Sequence, residues 1–169
     1  MIDSKKRLEK LLQGYRFKKV KNHLLGDVLD FGGNEGELKL YVKGNYTLVN
    51  YDHSPMYSKT FDTIVSLAVI EHMEVPEVFE VFKKYKCCLR EDGIIFLTTP
   101  TPASKPILEI LAFLGILDKE NIEEHKHYWT KKELFKLAKN TGYKVIEYEK
   151  FQLRFNQYMI LKHNSNSLS

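Results

Sequence analysis

Two groups of residues in this 169-residue chain have the types and spacing to do chemistry. The first is "VLDFGGNEG" (residues 28–36), where an apolar run ends in Asp30 and Gly32, Gly33 and Gly36 follow. Glycines at a strand end let the backbone approach a ligand closely, and a helix starting behind them offers free N–H groups. An acid directly before such a turn suits a ligand carrying positive charge better than a phosphate. Asn34, inside the turn, is the non-glycine residue that best tolerates left-handed backbone, so it should keep the turn. Asp52 stands 22 residues after Asp30. An acid there hydrogen-bonds ribose hydroxyls in nucleotide-binding α/β folds.

The second group is Glu71 and His72 in "VIEHM", with His125 and His127 in "EEHKHYW". Histidine is the usual side chain for removing a proton near neutral pH, so His72, His125 and His127 are candidate bases. Carboxylate and imidazole also suit several divalent ions. The spacing of these four fits no established ligand motif, and no metal is expected. His53 reads as a neighbour of the ligand beside Asp52, and His23 and His163 read as incidental. Cys87 and Cys88 are adjacent and have no other thiol to pair with. They read as reduced, buried helix residues of a cytoplasmic protein.

Strands alternating with helices must position these groups. Residues 4–22 read as a basic helix capped by Ser4, with Leu8, Leu11, Leu12 and Tyr15 on one face. Strands follow at 26–31, 46–52 and 61–70, with a short helix at 35–43 that Gly44 can end. The helix at 75–89 carries Pro76 in its first turn and Val78, Phe82, Tyr85 and Leu89 on one side. "REDG" turns into a strand at 94–100. Thr130 and Glu133 form a capping box that opens a helix closed by Gly142. Two strands, 143–150 and 152–162, are joined too closely for a helical crossover and should pair antiparallel. Strands apolar throughout, alternating with helices, imply an open, doubly wound, mostly parallel α/β sheet.

Between Ile107 and Leu117 only Glu109 and Gly115 are not apolar. That segment is either packed over the core or in a dimer contact, or it forms a lid over an apolar acceptor pocket. The chain has the length of one domain: an N-terminal helix at 1–24, a helical insertion at 103–129 and a frayed tail at 163–169. No stretch approaches the roughly 18 apolar residues of a membrane span. Net charge is +4, and the lysines of "FKKVK" and "KKYK" read as solvated helix faces rather than a nucleic-acid surface.

The glycine pattern lacks the G-x-G-x-x-G of a dinucleotide fold, which disfavours a nicotinamide enzyme. It resembles motif I of the class I S-adenosylmethionine-dependent methyltransferases, D-x-G-x-G-x-G, with Asn34 at the middle glycine. "NYDHS" (50–54) is similar to the second motif, "FDTIVSLAVIEHM" (61–73) to the fourth strand and its following segment, and "EDGIIFLTTP" (91–100) to the fifth. "HYWTKKELFKLAKNTGYKVIE" is similar to the C-terminal region of small-molecule methyltransferases.

The resemblance implies a methyl transfer to a small-molecule or glycan or lipid-precursor acceptor, at oxygen. It implies Asp30, Gly32, Gly33, Asn34 and Gly36 around the methionine part of S-adenosylmethionine, Asp52 on the ribose with His53 beside it, and Leu67 and Ala68 at the sulfonium. The three histidines would border the acceptor. One departure matters. Between Asp52 and Phe61, where the family usually inserts a helix and a strand, only "HSPMYSKT" stands. One edge strand should be missing, with Met56 or Tyr57 against the adenine and a second copy or a partner chain over the edge. A non-catalytic partner subunit that keeps the fold is the alternative.

Overall fold

The computed structural model describes residues 2–50, 59–117 and 119–164. Asp52, His53, Met56, Tyr57 and the end of the tail lie outside the described residues. The elements run α1 (Ile2–Val20), β1 (Val28–Phe31), β2 (Tyr46–Val49), β3 (Phe61–Leu67), α2 (Val75–Cys88), β4 (Leu89–Pro100), α3 (Lys105–Phe113), α4 (Lys119–Glu123), α5 (Lys131–Asn140), β5 (Tyr143–Phe151) and β6 (Asn156–His163).

The six strands form one sheet in the order β2-β1-β3-β4-β6-β5. Strands β2, β1, β3 and β4 are parallel neighbours, and β6 pairs antiparallel with both β4 and β5. This is the open α/β sheet expected, with its antiparallel C-terminal pair, and among the described residues β2 and β5 are its edge strands. The chain passes from β1 outward to β2 and then back across to β3. That reversal opens a crevice between the carboxyl ends of β1 and β3, where such sheets bind ligands.

The sheet is covered on both faces, and the alternation of strand side chains divides the core. Leu29, Phe31, Ile64, Ile95, Leu97, Met159 and Leu161 meet Val78, Phe82 and Tyr85 of α2 and Leu134, Leu137 and Ala138 of α5. Val28, Val65, Phe96 and Ile160 meet Val20 at the end of α1 with Leu24 and Leu38. The side of α2 expected to be apolar, Val78, Phe82 and Tyr85 with Leu89 just beyond it, is buried. The capping box is formed as well: the Glu133 amide donates to Thr130 Oγ1 at 3.2 Å and the Thr130 amide to Glu133 Oε2 at 2.8 Å.

Several local expectations differ. Helix α1 starts at Ile2, and Leu11 and Tyr15 are exposed rather than part of a buried stripe. The helix is held instead by Val20, by the Lys19–Glu149 ion pair at 3.0 Å and by Gln152 Nε2 donating to the Leu12 carbonyl at 3.1 Å. The helix expected at 35–43 is a 3-10 turn, Glu37–Tyr41. Strand β3 stops at Leu67 because Ala68 turns to φ 58°. Strand β4 begins already at Leu89, opposite Phe61, and its register shifts before Ile94. Within that irregularity Arg90 bridges Asp27 and Asp62. Cys88 is buried but Cys87 is exposed. Ala112 and Leu117 are buried, whereas Ile107, Ile110, Phe113, Leu114 and Ile116 are exposed, so most of that apolar segment does not pack on the core. Among the described residues no helix is long and apolar enough to cross a membrane.

Candidate functional site

Asp30 is the third residue of β1 and is only 2% exposed. Its neighbour in the sheet brings a partner. Tyr46 opens β2 opposite Val28 and reaches along the strand, its hydroxyl donating to Asp30 Oδ2 at 2.6 Å. The glycine turn closes over the pair. A Cβ at Gly33 would overlap the Asp30 carboxylate, and one at Gly32 would overlap Val69 across the crevice. Gly32 and Gly36 take φ 76° and 77°, and Asn34 takes φ 51°, the left-handed conformation its place requires. Gly32 N donates to the Val49 carbonyl at 2.7 Å, and Gly36 N to Gly33 O at 2.9 Å. The carboxylate is therefore seated beneath the turn, against the Gly33 backbone. Burial pushes its pKa up to about 6, against the pull of the Tyr46 hydrogen bond. It is ionised at neutral pH.

Across the crevice, the end of β3 is tied to β4. Ala68 N donates to the Thr98 carbonyl at 3.0 Å and lies 3.1 Å from Thr98 Oγ1. A short 3-10 turn, Ile70–His72, follows. Glu71 is 1% exposed and accepts from Thr99 Oγ1 at 3.0 Å. Burial raises its pKa to about 7, opposed by that hydrogen bond and by the Arg16 guanidinium of α1.

The chain after α4 returns to this turn. Lys126 and His127 amides donate to the Glu71 carbonyl at 2.8 and 3.2 Å, and Trp129 Nε1 donates to the Ile70 carbonyl at 3.2 Å. These bonds place the His125 ring against His72, centroids 4.7 Å apart at 76°. His125 Nδ1 lies 2.9 Å from the Tyr128 hydroxyl. Burial, with His72 beside it, depresses the His125 pKa to about 4, and burial also lowers that of His72. Burial therefore disfavours the charged form of both rings.

The structure therefore brings together Asp30, Gly32, Gly33, Asn34 and Gly36 on one side of the crevice, and Leu67, Ala68, His72 and His125 on the other. It does not bring His127 to them. That ring packs on Trp129 at 4.9 Å, and its Nε2 lies 3.1 Å from Glu133 Oε1. The sequence reading missed Tyr46, Thr99 and Tyr128. Only a strand register could have exposed Tyr46, since nothing in its spacing from Asp30 marks it as a partner. Thr98 and Thr99, polar residues at the end of an apolar strand, were a visible signal.

A family model described as a methyltransferase domain matches residues 4–148. No curated protein matches the chain. Among solved structures, the chain is similar to an S-adenosylmethionine-dependent methyltransferase from Clostridium acetobutylicum, with 10% identity, TM-score 0.61 and 90% of each chain covered. It is also similar to the mitomycin 7-O-methyltransferase MmcR, with 11% identity and TM-score 0.62, over 82% of this chain and 49% of that one. A third likeness is to a Haloferax volcanii complex between the Trm112 methyltransferase activator and a methyltransferase, with 10% identity, TM-score 0.64, and 86% and 88% covered. At such identities the structures speak for the fold and the family model for the membership: the chain belongs to the methyltransferase-domain family, with the fold of the class I S-adenosylmethionine-dependent enzymes.

Proposed function

We propose that the protein transfers a methyl group from S-adenosylmethionine to an oxygen of a small-molecule acceptor, such as a glycan or lipid precursor. The cofactor supplies a methyl group on a sulfonium that is already a good leaving group. The chain's own residues have to bind, align and take up a proton. One observation carries the reading: a buried, ionised Asp30 seated under the Gly32–Gly36 turn at the switch point of the sheet. A fixed anion beneath a backbone cradle favours a cationic ligand over a phosphate.

In this reading Asp30, Gly32, Gly33, Asn34 and Gly36 hold the methionine part, with Tyr46 orienting the carboxylate. Leu67 and Ala68 border the sulfonium. Asp52 takes the ribose hydroxyls, with His53 beside it. His72 and His125 face the acceptor as neutral rings, while His127 steadies the lid through Glu133. Oxygen as the methylated atom is supported by two imidazoles packed together beside the crevice, and MmcR, by its name, is a 7-O-methyltransferase. Helix α3 lies over the same side, with Lys105 Nζ 5.8 Å from the centre of the Tyr128 ring, which suits a lid.

The test is transfer of label from S-adenosylmethionine to matched panels of hydroxyl and amine acceptors. Label should move to a hydroxyl acceptor, and His72→Gln should slow it by roughly 10²–10⁴-fold, the range of a positioned base. Transfer to amines alone, or an undiminished rate in the variant, would contradict the assignment. A second reading, a non-catalytic partner subunit, is favoured by the position of β2 at the edge of the sheet among the described residues. The Haloferax methyltransferase, held in a complex with an activator, is in keeping with it. It predicts stable association with another chain and no turnover on any acceptor.

A further inference from the structure

The geometry points to a divalent-cation site formed by Glu71, His72 and His125, taking an ion of the zinc class. One donor atom from each residue lies within 4.8 Å of the other two. Neighbouring donors around a tetrahedral zinc are roughly 3.4 Å apart at bond lengths of about 2.0–2.2 Å. Closure therefore requires the donors to approach by about 1.4 Å at most, within reach of small rotations of two half-buried imidazoles. Two imidazoles and a carboxylate suit zinc, cobalt or nickel, whereas magnesium and calcium prefer oxygen shells.

The surroundings already orient the donors. Thr99 Oγ1 holds one Glu71 oxygen at 3.0 Å and leaves the other available. The Tyr128 hydroxyl occupies His125 Nδ1 at 2.9 Å, which leaves Nε2 as the donor. Such outer contacts to carboxylate and imidazole are what fix ligands in metal sites. The third donor is the strongest sign. His72 Nδ1 is buried and has no hydrogen-bond partner among the described residues. A buried polar atom left unmatched is expensive, and a cation would satisfy a ring nitrogen there.

In the sequence these residues stand beside His127 without the spacing of a ligand motif, and the fold supplies the proximity. Glu71 and His72 follow β3, and His125 comes from the lid, whose Lys126 and His127 amides are pinned to the Glu71 carbonyl. Three protein donors leave a fourth position open, as in sites that hold an exchangeable ligand. The site stands at the carboxyl ends of β3 and β4. If the methyl-transfer reading holds, on which this last step rests, the open position takes the acceptor through a hydroxyl oxygen, and with the cation bound His72 and His125 act by holding it instead of as free bases.

The experiment uses the full chain without an affinity tag and without cofactor, stripped with chelator. It is titrated with Zn²⁺ by calorimetry and with Co²⁺ by visible absorption. One equivalent should bind, with the intense visible bands of four-coordinate cobalt. His125→Gln, a change on the lid, should weaken binding by more than about 100-fold, beyond the 10–100-fold expected for the outer contact in Thr99→Val. His163→Gln should leave it unchanged. Failure of the folded wild type to bind either ion would overturn the proposal, as would wild-type affinity in a folded His125→Gln or His72→Gln. Because the titration contains no cofactor, loss of the cation site and loss of the methyl-transfer reading are separate results.

Discussion

Asp30 accepts a hydrogen bond from the Tyr46 hydroxyl, which partly offsets the burial of its charge. The sign of its pH effect follows. Its folded pKa, about 6, is above the ordinary value of 3.8, so between those values the folded state binds more protons than the unfolded one. Stability from this group therefore falls as pH rises from about 4 to 6, and the deficit stays constant above that. Asp30→Asn should raise the melting temperature at pH 7, with the difference from wild type vanishing near pH 4. A constant difference across that range would contradict the assignment. Gly33→Ala should do the opposite, because its Cβ overlaps the carboxylate. A loss of about 1–3 kcal/mol in chemical denaturation is expected, typical of overpacking. At this scale residue type made Asp30 and Asn34 legible. Tyr46 was not, because its role depends on which strand residue lies opposite Val28. Nor could the "HKH" spacing separate His125 from His127, since a loop has no period to assign their directions.

Helix α2 was legible because one apolar face repeats with the helix period, and α5 because its cap and its closing glycine are local signals. Thr130→Ala removes the oxygen that receives the Glu133 amide and should cost about 1 kcal/mol, read by denaturation. Helix α1 was misread for the converse reason: its docking uses an ion pair, a backbone carbonyl and Val20 rather than the expected stripe. The segment 126–129 is held by hydrogen bonds between parts of the chain distant in sequence. Trp129→Phe keeps most of the buried ring but removes the bond to the Ile70 carbonyl. Faster hydrogen exchange at the Lys126 and His127 amides is the expected outcome, because both donate to the Glu71 carbonyl next along the chain. Unchanged exchange there would mean that this segment is held by other contacts.

For the whole molecule, alternating apolar strands and helices made the sheet class and its antiparallel end legible before any geometry. The observed order places β1 and β3 side by side, so the Asp30 turn and the His72 turn face each other across one crevice. That juxtaposition could not be read from either motif alone, since each is a short local pattern. The outward apolar side chains of α3 were also illegible, because a run of apolar residues reads as buried unless the surface it covers is known. The central claim is that the buried anion beneath the glycine turn makes this crevice a site for S-adenosylmethionine. Calorimetric titration with S-adenosylhomocysteine, wild type beside Asp30→Asn, tests it most directly. The account predicts micromolar binding by the wild type and at least a tenfold loss in the variant, about 1.4 kcal/mol. No binding by a folded wild type, or equal binding by a folded variant, would contradict it.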